Sequence, residues 1–246
     1  MRTTIHDLLS ADVHDGDLVG IGGTTLEMNP MALVRALIDV LREANARVRL
    51  VVAPIGGVAV EALIGAGVVS EIECAQVSLG DFGSAPAFRR AIESGATRIR
   101  ESSCPALLAA LHAGASGLPS GAVRAFKDSQ ILDVRRDYKS FNDPVSGETL
   151  VAVPAIRPDV ALIHGFAADA AGNVVLDGET DDLVLARAAQ KVVATVEELV
   201  PSIAMLPGQV LFSSIYATKV FPGSRGAAPT AVRGLYPASR PAGVKS

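Results

Sequence analysis

Tryptophan is absent, and aromatic residues make up only 4% of the 246 residues. That scarcity argues against single-stranded nucleic acid stacked on aromatic platforms. A basic excess is missing too. The formal net charge of −4 does not suit a phosphate-backbone partner, which calls for clustered Lys and Arg. There are two cysteines, Cys74 and Cys104, with no short spacing between them and no histidine at ligand spacing beside either. Such a pair argues against a disulfide framework and against a structural zinc site. No apolar run approaches the ~20 residues that span a bilayer. The opening stretch carries acids and no long apolar segment, so no signal peptide is expected and the cytoplasm is the expected location. Neither G-x-G-x-x-G nor G-x-x-x-x-G-K-[ST] occurs, which removes the dinucleotide and ATP fingerprints.

What remains is a chain with 49% hydrophobic residues, long enough for a substantial core. Short β-rich runs alternate with amphipathic helical stretches. Leu18 to Ile21 reads as a strand ending in Gly22-Gly23. Pro30 then opens a helix in which Leu33, Val34, Leu37, Ile38 and Leu41 fall at helical spacing. The expected continuation is a strand over 48–53, a helix over 58–64, a strand over 72–79 and a helix over 86–94. A strand over 97–100 and a helix over 105–113 follow. After a break come strands over 150–153, 160–163 and 173–176, a helix over 181–190 and a strand over 191–196. Strands spaced by helices of this length predict an α/β fold: a mostly parallel sheet with helices on both faces.

Residues 119–150 interrupt the rhythm with charge, Gly, Pro and Ser, and read as a long surface excursion that a partner could order. From about 201 the chain is punctuated by Pro207, Pro222, Pro229 and Pro237 and reads as an irregular tail. No internal repeat or clean linker divides the chain, so residues 1–246 are expected to form one domain.

The strongest local signal is Asp15-Gly16-Asp17-Leu18-Val19-Gly20-Ile21-Gly22-Gly23-Thr24-Thr25, with Pro30 beyond. A strand runs into two glycines, two hydroxyl residues and a helix. Glycine permits close backbone approach and positive φ, and a helix N-terminus favours negative charge. The turn could hold a carboxylate, a phosphate or a developing oxyanion; a plain strand-to-helix turn is equally consistent with it. Glu101 ends a predicted strand just before Ser102-Ser103-Cys104-Pro105. A carboxylate at the end of a parallel strand lies where open α/β sheets place ligands. A solvated or ion-paired glutamate is the alternative. Cys104 reads as a partly buried thiol, His164 as a hydrogen-bonded core histidine, and His112 and Glu197-Glu198 as structural.

The Gly22-Gly23-Thr24-Thr25 turn resembles the glycine signature of class I coenzyme A-transferase alpha subunits. Thr24 stands where an aromatic is usual and Met28 where a glycine is usual, and the form is similar to the glutaconate CoA-transferase branch. Asn142–Glu148 and Val153–His164 resemble further segments of that branch. So do Ala168-Asp169 with Gly172-Asn173, Asp181 with Arg187–Ala189, and Thr195–Glu198. Gly226-Ala227-Ala228-Pro229-Thr230 with Tyr236 resembles its tail, with Ala228 in place of a histidine. The likeness runs over nearly the whole chain.

The resemblance implies a CoA-transferase-like A subunit, inactive without its B-type partner and commonly assembled as two pairs. It implies CoA transfer between small carboxylic acids through acyl-glutamyl intermediates, with the nucleophilic glutamate usually on the B subunit. Coenzyme A thioester enters as substrate, with no tightly bound cofactor and no metal. It assigns substrate contact to Gly22, Gly23, Thr24 and Thr25, and to Ser78 and Phe82 at a strand end that resembles a family substrate loop. Glu101 is the candidate catalytic residue, because the A subunit of a related ring-opening branch carries a catalytic glutamate, and Ser102 beside it is a further candidate substrate contact. A ring-opening hydrolase or lyase, or a glutaconyl-CoA-type decarboxylase, stays open on the same scaffold.

Overall fold

The computed structural model describes residues 3–124, 126, 129–216 and 218–241. The parts of the excursion at 125, 127 and 128, and of the tail at 217 and 242–246, lie outside the described residues. In chain order the elements are α1 (Ile5–Asp12), β1 (Leu18–Ile21), α2 (Met31–Glu43), β2 (Val48–Val52), β3 (Ile55–Gly56), α3 (Val58–Gly65), β4 (Val69–Cys74) and β5 (Gln76–Val77). They continue with α4 (Pro86–Glu93), β6 (Arg98–Glu101), α5 (Cys104–Ala115), β7 (Ser120–Arg124), α6 (Ile131–Val134), β8 (Lys139–Asn142) and β9 (Thr149–Pro154). Then come β10 (Val160–Ala168), β11 (Val174–Asp177), α7 (Asp182–Ala188), β12 (Lys191–Leu199), β13 (Gln209–Phe212) and β14 (Thr218–Pro222).

The main sheet has nine strands, in the order β13-β11-β10-β1-β2-β4-β6, with β12 also on β10 and β14 on β12. The pairings β10–β1–β2–β4–β6 and β10–β12–β14 are parallel; among the described residues β11 alone runs against the other strands, making antiparallel pairs with β10 and with β13. β10 is long enough to serve two neighbours on one side: β1 lies beside Val160–Leu162, and β11 lies beside Ala167-Ala168 beyond the end of β1.

The period of two along the strands builds two cores. Val48, Leu50 and Val52 of β2 face α1, α2 and α3, while Val51 faces the other way, into a core shared with α5 and α7. On β10, Val160 and Leu162 join the first core and Ala161 and Ile163 the second. α2 buries Leu33, Val34, Leu37 and Leu41, and α1 starts at a capping box made by Thr4 and Asp7. No helix among the described residues is long and apolar enough to cross a membrane.

Three expectations need correction. The excursion at 119–150 is folded rather than irregular: β7, β9 and β8 make a separate antiparallel sheet. It packs on α5, with Val151 and Val153 buried in the second core and Gly121 held against the Ala109 carbonyl. Its strands β7 and β8 are short, and their exposed residues mix Ser120, Arg124 and Lys139 with Ala122 and Phe141, which hid the alternation on the buried face. The tail from 201 contributes β13 and β14 to the main sheet, so it is not irregular throughout. The strand expected over 72–79 begins at Val69 and is broken at Ala75, whose N–H turns to the Pro54 carbonyl.

Candidate active site

Parallel strands β1, β2, β4 and β6 release their chains at one edge of the sheet. At β1 the chain order reverses, with β10 on one side and β2 on the other, which is where open α/β sheets place ligands. Gly22 and Gly23 stand at that point and are buried.

The turn's hydrogen bonds define what it can offer. The Gly22 N–H donates to the Leu162 carbonyl (2.9 Å) and the Thr24 N–H to the Glu27 carbonyl (2.9 Å). The Gly23 N–H donates to Oδ1 of Asp182 (2.7 Å), a side chain 1% exposed. The donors expected of Gly22, Gly23 and Thr24 are therefore spent inside the protein. The N–H groups of Thr25 and Leu26, at the tip between Thr24 and Glu27, have no protein acceptor among the described residues. Thr25 holds φ at 40°, an uncommon conformation for a β-branched residue and one that collects at functional sites. Gly23, at φ 74°, has backbone of Asn29 2.6 Å from where a Cβ would sit, so only glycine fits.

Asn29, 1% exposed, clamps the turn. Its side-chain amide donates to the Glu27 carbonyl (2.9 Å), and its Oδ1 accepts from the Ala59 N–H (2.9 Å), so it caps α3 from another segment. The tail closes the turn from behind. Met28 N–H donates to the Ala231 carbonyl, Ala231 N–H to the Leu26 carbonyl, and Asn29 N–H to the Thr230 hydroxyl.

The next strand ends lie alongside. Val58 N–H donates to the Thr25 carbonyl (3.2 Å), and Gly57 lets the two segments close, since a Cβ there would sit 2.0 Å from that carbonyl oxygen. Ser78 N–H donates to the Gly56 carbonyl (2.9 Å), while the Ser78 hydroxyl accepts from Gly80 N–H. Leu26 packs on Gly80, and Phe82 is half-buried against the first core. Gly22–Thr25, Ser78 and Phe82 thus belong to one contiguous ledge.

Glu101 and Ser102 close the row at β6. Ser102 N–H donates to the Cys74 carbonyl (3.2 Å), and the Ser102 hydroxyl is 2.9 Å from the Tyr138 hydroxyl. Glu101 is exposed, and its carboxylate makes no hydrogen bond or ion pair among the described residues. It borders a cleft of about 410 Å³ with Arg98, Arg100, Val134, Arg135 and Asp137. Burial, with Glu73 and Glu101 nearby, pushes the Cys74 thiol up to about 12 and makes it inert. Cys104 is exposed at the start of α5, where a partly buried thiol was expected.

His164 is fully buried, as a core histidine should be. Its Nδ1 lies 2.8 Å from the Thr195 hydroxyl and its Nε2 3.0 Å from Oε1 of Glu197. Burial holds its pKa below 6.5 against the pull of Glu197. Glu197 also accepts from the Tyr236 hydroxyl (2.5 Å) and the Arg225 N–H (2.7 Å), so it anchors the tail.

Asp182, Asn29, Arg135 and Tyr138 escaped sequence reasoning. Each has a partner far away along the chain: Asp182 and Gly23 are 159 positions apart, Tyr138 and Ser102 36, Arg135 and Glu101 34, and Asn29 and Ala59 30. The one local hint was an asparagine directly before the helix-opening Pro30.

A family model described as coenzyme A transferase matches residues 2–222. The chain is 36% identical to the A subunit of 3-oxoadipate CoA-transferase from Pseudomonas knackmussii, over 80% of its own length and 70% of that protein's. Among solved structures, a cysteine-to-serine variant of the AibA/AibB decarboxylase superposes with a TM-score of 0.80 at 33% identity, covering 96% of this chain and 87% of that one. Glutaconate coenzyme A-transferase from Acidaminococcus fermentans superposes at 0.83 and 25% identity, covering 96% and 80%.

Proposed function

The chain belongs to the coenzyme A transferase family, and on that premise we propose that it is the A-type subunit of a heteromeric CoA-transferase acting on small carboxylic acids. A B-type subunit completes the site, with two pairs in the assembly, and supplies the nucleophilic glutamate. A carboxylate oxygen attacks the thioester carbon, the C–S bond breaks, and CoA leaves as the thiolate from an acyl-glutamyl anhydride. The thiolate then attacks the glutamyl carbonyl and expels the donor acid, and the acceptor carboxylate takes up CoA by the reverse steps. Covalent catalysis divides one hard transfer into easier ones.

Each step passes through a tetrahedral oxyanion that preorganised N–H donors stabilise. In this reading Thr25 and Leu26 N–H supply donors from this chain. Gly22 and Gly23 shape the turn, the hydroxyls of Thr24, Thr25 and Ser78 position substrate, and Phe82 borders it. Glu101 with Ser102 faces the thioester as this chain's catalytic carboxylate. One observation carries the reading: an exposed carboxylate and N–H donors, both without a partner among the described residues, share one sheet edge. They do so in a chain alike over most of its length to a protein whose name marks it as the A subunit of a CoA-transferase.

The test is co-purification with the B-type product of an adjacent gene. Succinyl-CoA serves as donor, and glutaconate or 3-oxoadipate as acceptor. Acceptor-dependent CoA transfer by the pair, and negligible transfer by the chain alone, is the expected result. Robust turnover by the chain alone would refute it. The 33% identity to a protein named as a decarboxylase favours a second reading. Release of CO2 from glutaconyl-CoA without an acceptor would replace transfer by that reading, and acceptor-independent release of free CoA would replace it by hydrolysis.

A further inference from the structure

β6 is the last strand on its side of the main sheet, so its end has a neighbour on one side only. The excursion supplies what holds the other. Arg135, at 5% exposure, is buried to a degree rare for arginine. Its Nη1 donates to the Glu101 carbonyl (2.8 Å) and lies 2.8 Å from Oε1 of Glu73. Nε and Nη2 fork onto Asp137 at 3.0 and 2.9 Å. The guanidinium carbon sits 4.0 Å from the centre of the Tyr138 ring, and Tyr138 in turn reaches Ser102. Arg100 closes the cluster, contacting Asp137 at 2.7 Å and Glu73 at 3.2 Å.

The charges of this cluster are met from within. Two guanidinium groups face Glu73 and Asp137, with Glu71 at the rim, and Asp137 is held down at about 2 chiefly by Arg135. The Glu101 carboxylate takes no part. One buried N–H is spent instead on the Glu101 main chain, which fixes the strand end while leaving its carboxylate free. We propose that Arg135 is a positioning residue for Glu101 and Ser102. This rests on the reading of Glu101 as the site carboxylate of this chain. The planar fork serves carbonyl, carboxylates and ring at once, which an ammonium cannot reproduce.

The test uses the complex of this chain with its B-type partner and the succinyl-CoA assay. Arg135→Lys should lower kcat roughly 10- to 100-fold with KM within about 2-fold, as misplacement of a reacting group does. Amide exchange at Ser102 should speed up in the same variant. In a Glu101→Gln background, adding Arg135→Lys should cost no further activity, because residues acting through one another are not additive. Near-normal kcat in Arg135→Lys, or an equal loss in both backgrounds, would overturn the proposal. Should Arg135→Lys misfold, Tyr138→Phe keeps the ring and removes the hydroxyl. It should slow turnover about 3-fold, within the scale of one lost hydrogen bond, and unchanged turnover with unchanged Ser102 exchange would overturn the clamp. Near-normal turnover in Glu101→Gln alone would instead remove the role of Glu101, whatever Arg135 does to Ser102 exchange.

Discussion

Asp182 makes stability depend on pH in a direction opposite to most carboxylates. Its side chain is buried, Oδ1 takes the Gly23 N–H, and Oδ2 has no partner among the described residues. Burial raises its pKa from 3.8 to about 7; the Gly23 N–H pulls the other way, and the like charges of Asp181 and Asp177 add to the rise. The charged groups around it are Asp181 with His112 opposite, and Asp177 with Arg233. A carboxyl raised on folding contributes fully below its unfolded pKa, and the contribution is lost as pH climbs through the folded value. Taking 3.8 and about 7, the wild type forfeits about 2 kcal/mol at pH 5 and on the order of 4 kcal/mol at pH 8.5.

Asp182→Asn keeps an acceptor for Gly23 and cannot ionise. Its buried NH2 lacks an acceptor, at a cost of roughly 1–3 kcal/mol that does not vary with pH. The variant should therefore gain on the wild type by roughly 2–3 kcal/mol between pH 5 and 8.5. Urea unfolding at both pH values measures this as a difference of differences, in which every other titration cancels. Parallel stability profiles for the two proteins would refute the reasoning.

Glu101→Gln should reduce kcat of the complex at least ~100-fold while leaving unfolding within about 0.5 kcal/mol, since the side chain is exposed and unpaired; steady-state kinetics and thermal melts check both halves. Gly57→Ala drives a Cβ to 2.0 Å from the Thr25 carbonyl, and should destabilise by roughly 1–3 kcal/mol and raise KM; a silent substitution would show that the turn yields freely. His164, held below 6.5 by burial, contributes stability that is present above pH 6.5 and lost as pH falls through its lower folded value. His164→Gln should flatten that acid limb in urea titrations, and an unchanged limb would assign it to other groups.

The α/β architecture was legible because the strands of a parallel sheet are continuous apolar runs and its helices carry a 3.6-residue stripe. α2 is the clearest case: Pro30 located its start within a residue, and the Leu33–Leu41 spacing marked its buried face. Of the small antiparallel sheet only β9 was legible, as the strand over 150–153; β7 and β8 were missed because they are mostly exposed and alternate weakly. The glycine turn could be found, but not its wiring. Which N–H groups are free depends on Asp182, Leu162 and Glu27, and only Glu27 is near in sequence. The Arg135 cluster lay in a stretch whose charges looked solvated, whereas packing against β6 buries them.

The bonds from 226–236 to the turn after β1 span up to 206 positions. During translation, residues 22–29 leave the ribosome long before the segment that braces them. At about 5–20 residues per second the delay is on the order of 10–40 s. For that interval a nascent chain can build α1, α2 and their strands but cannot finish the turn after β1. A messenger truncated after β14 would yield a folded-looking sheet with an unbraced mouth.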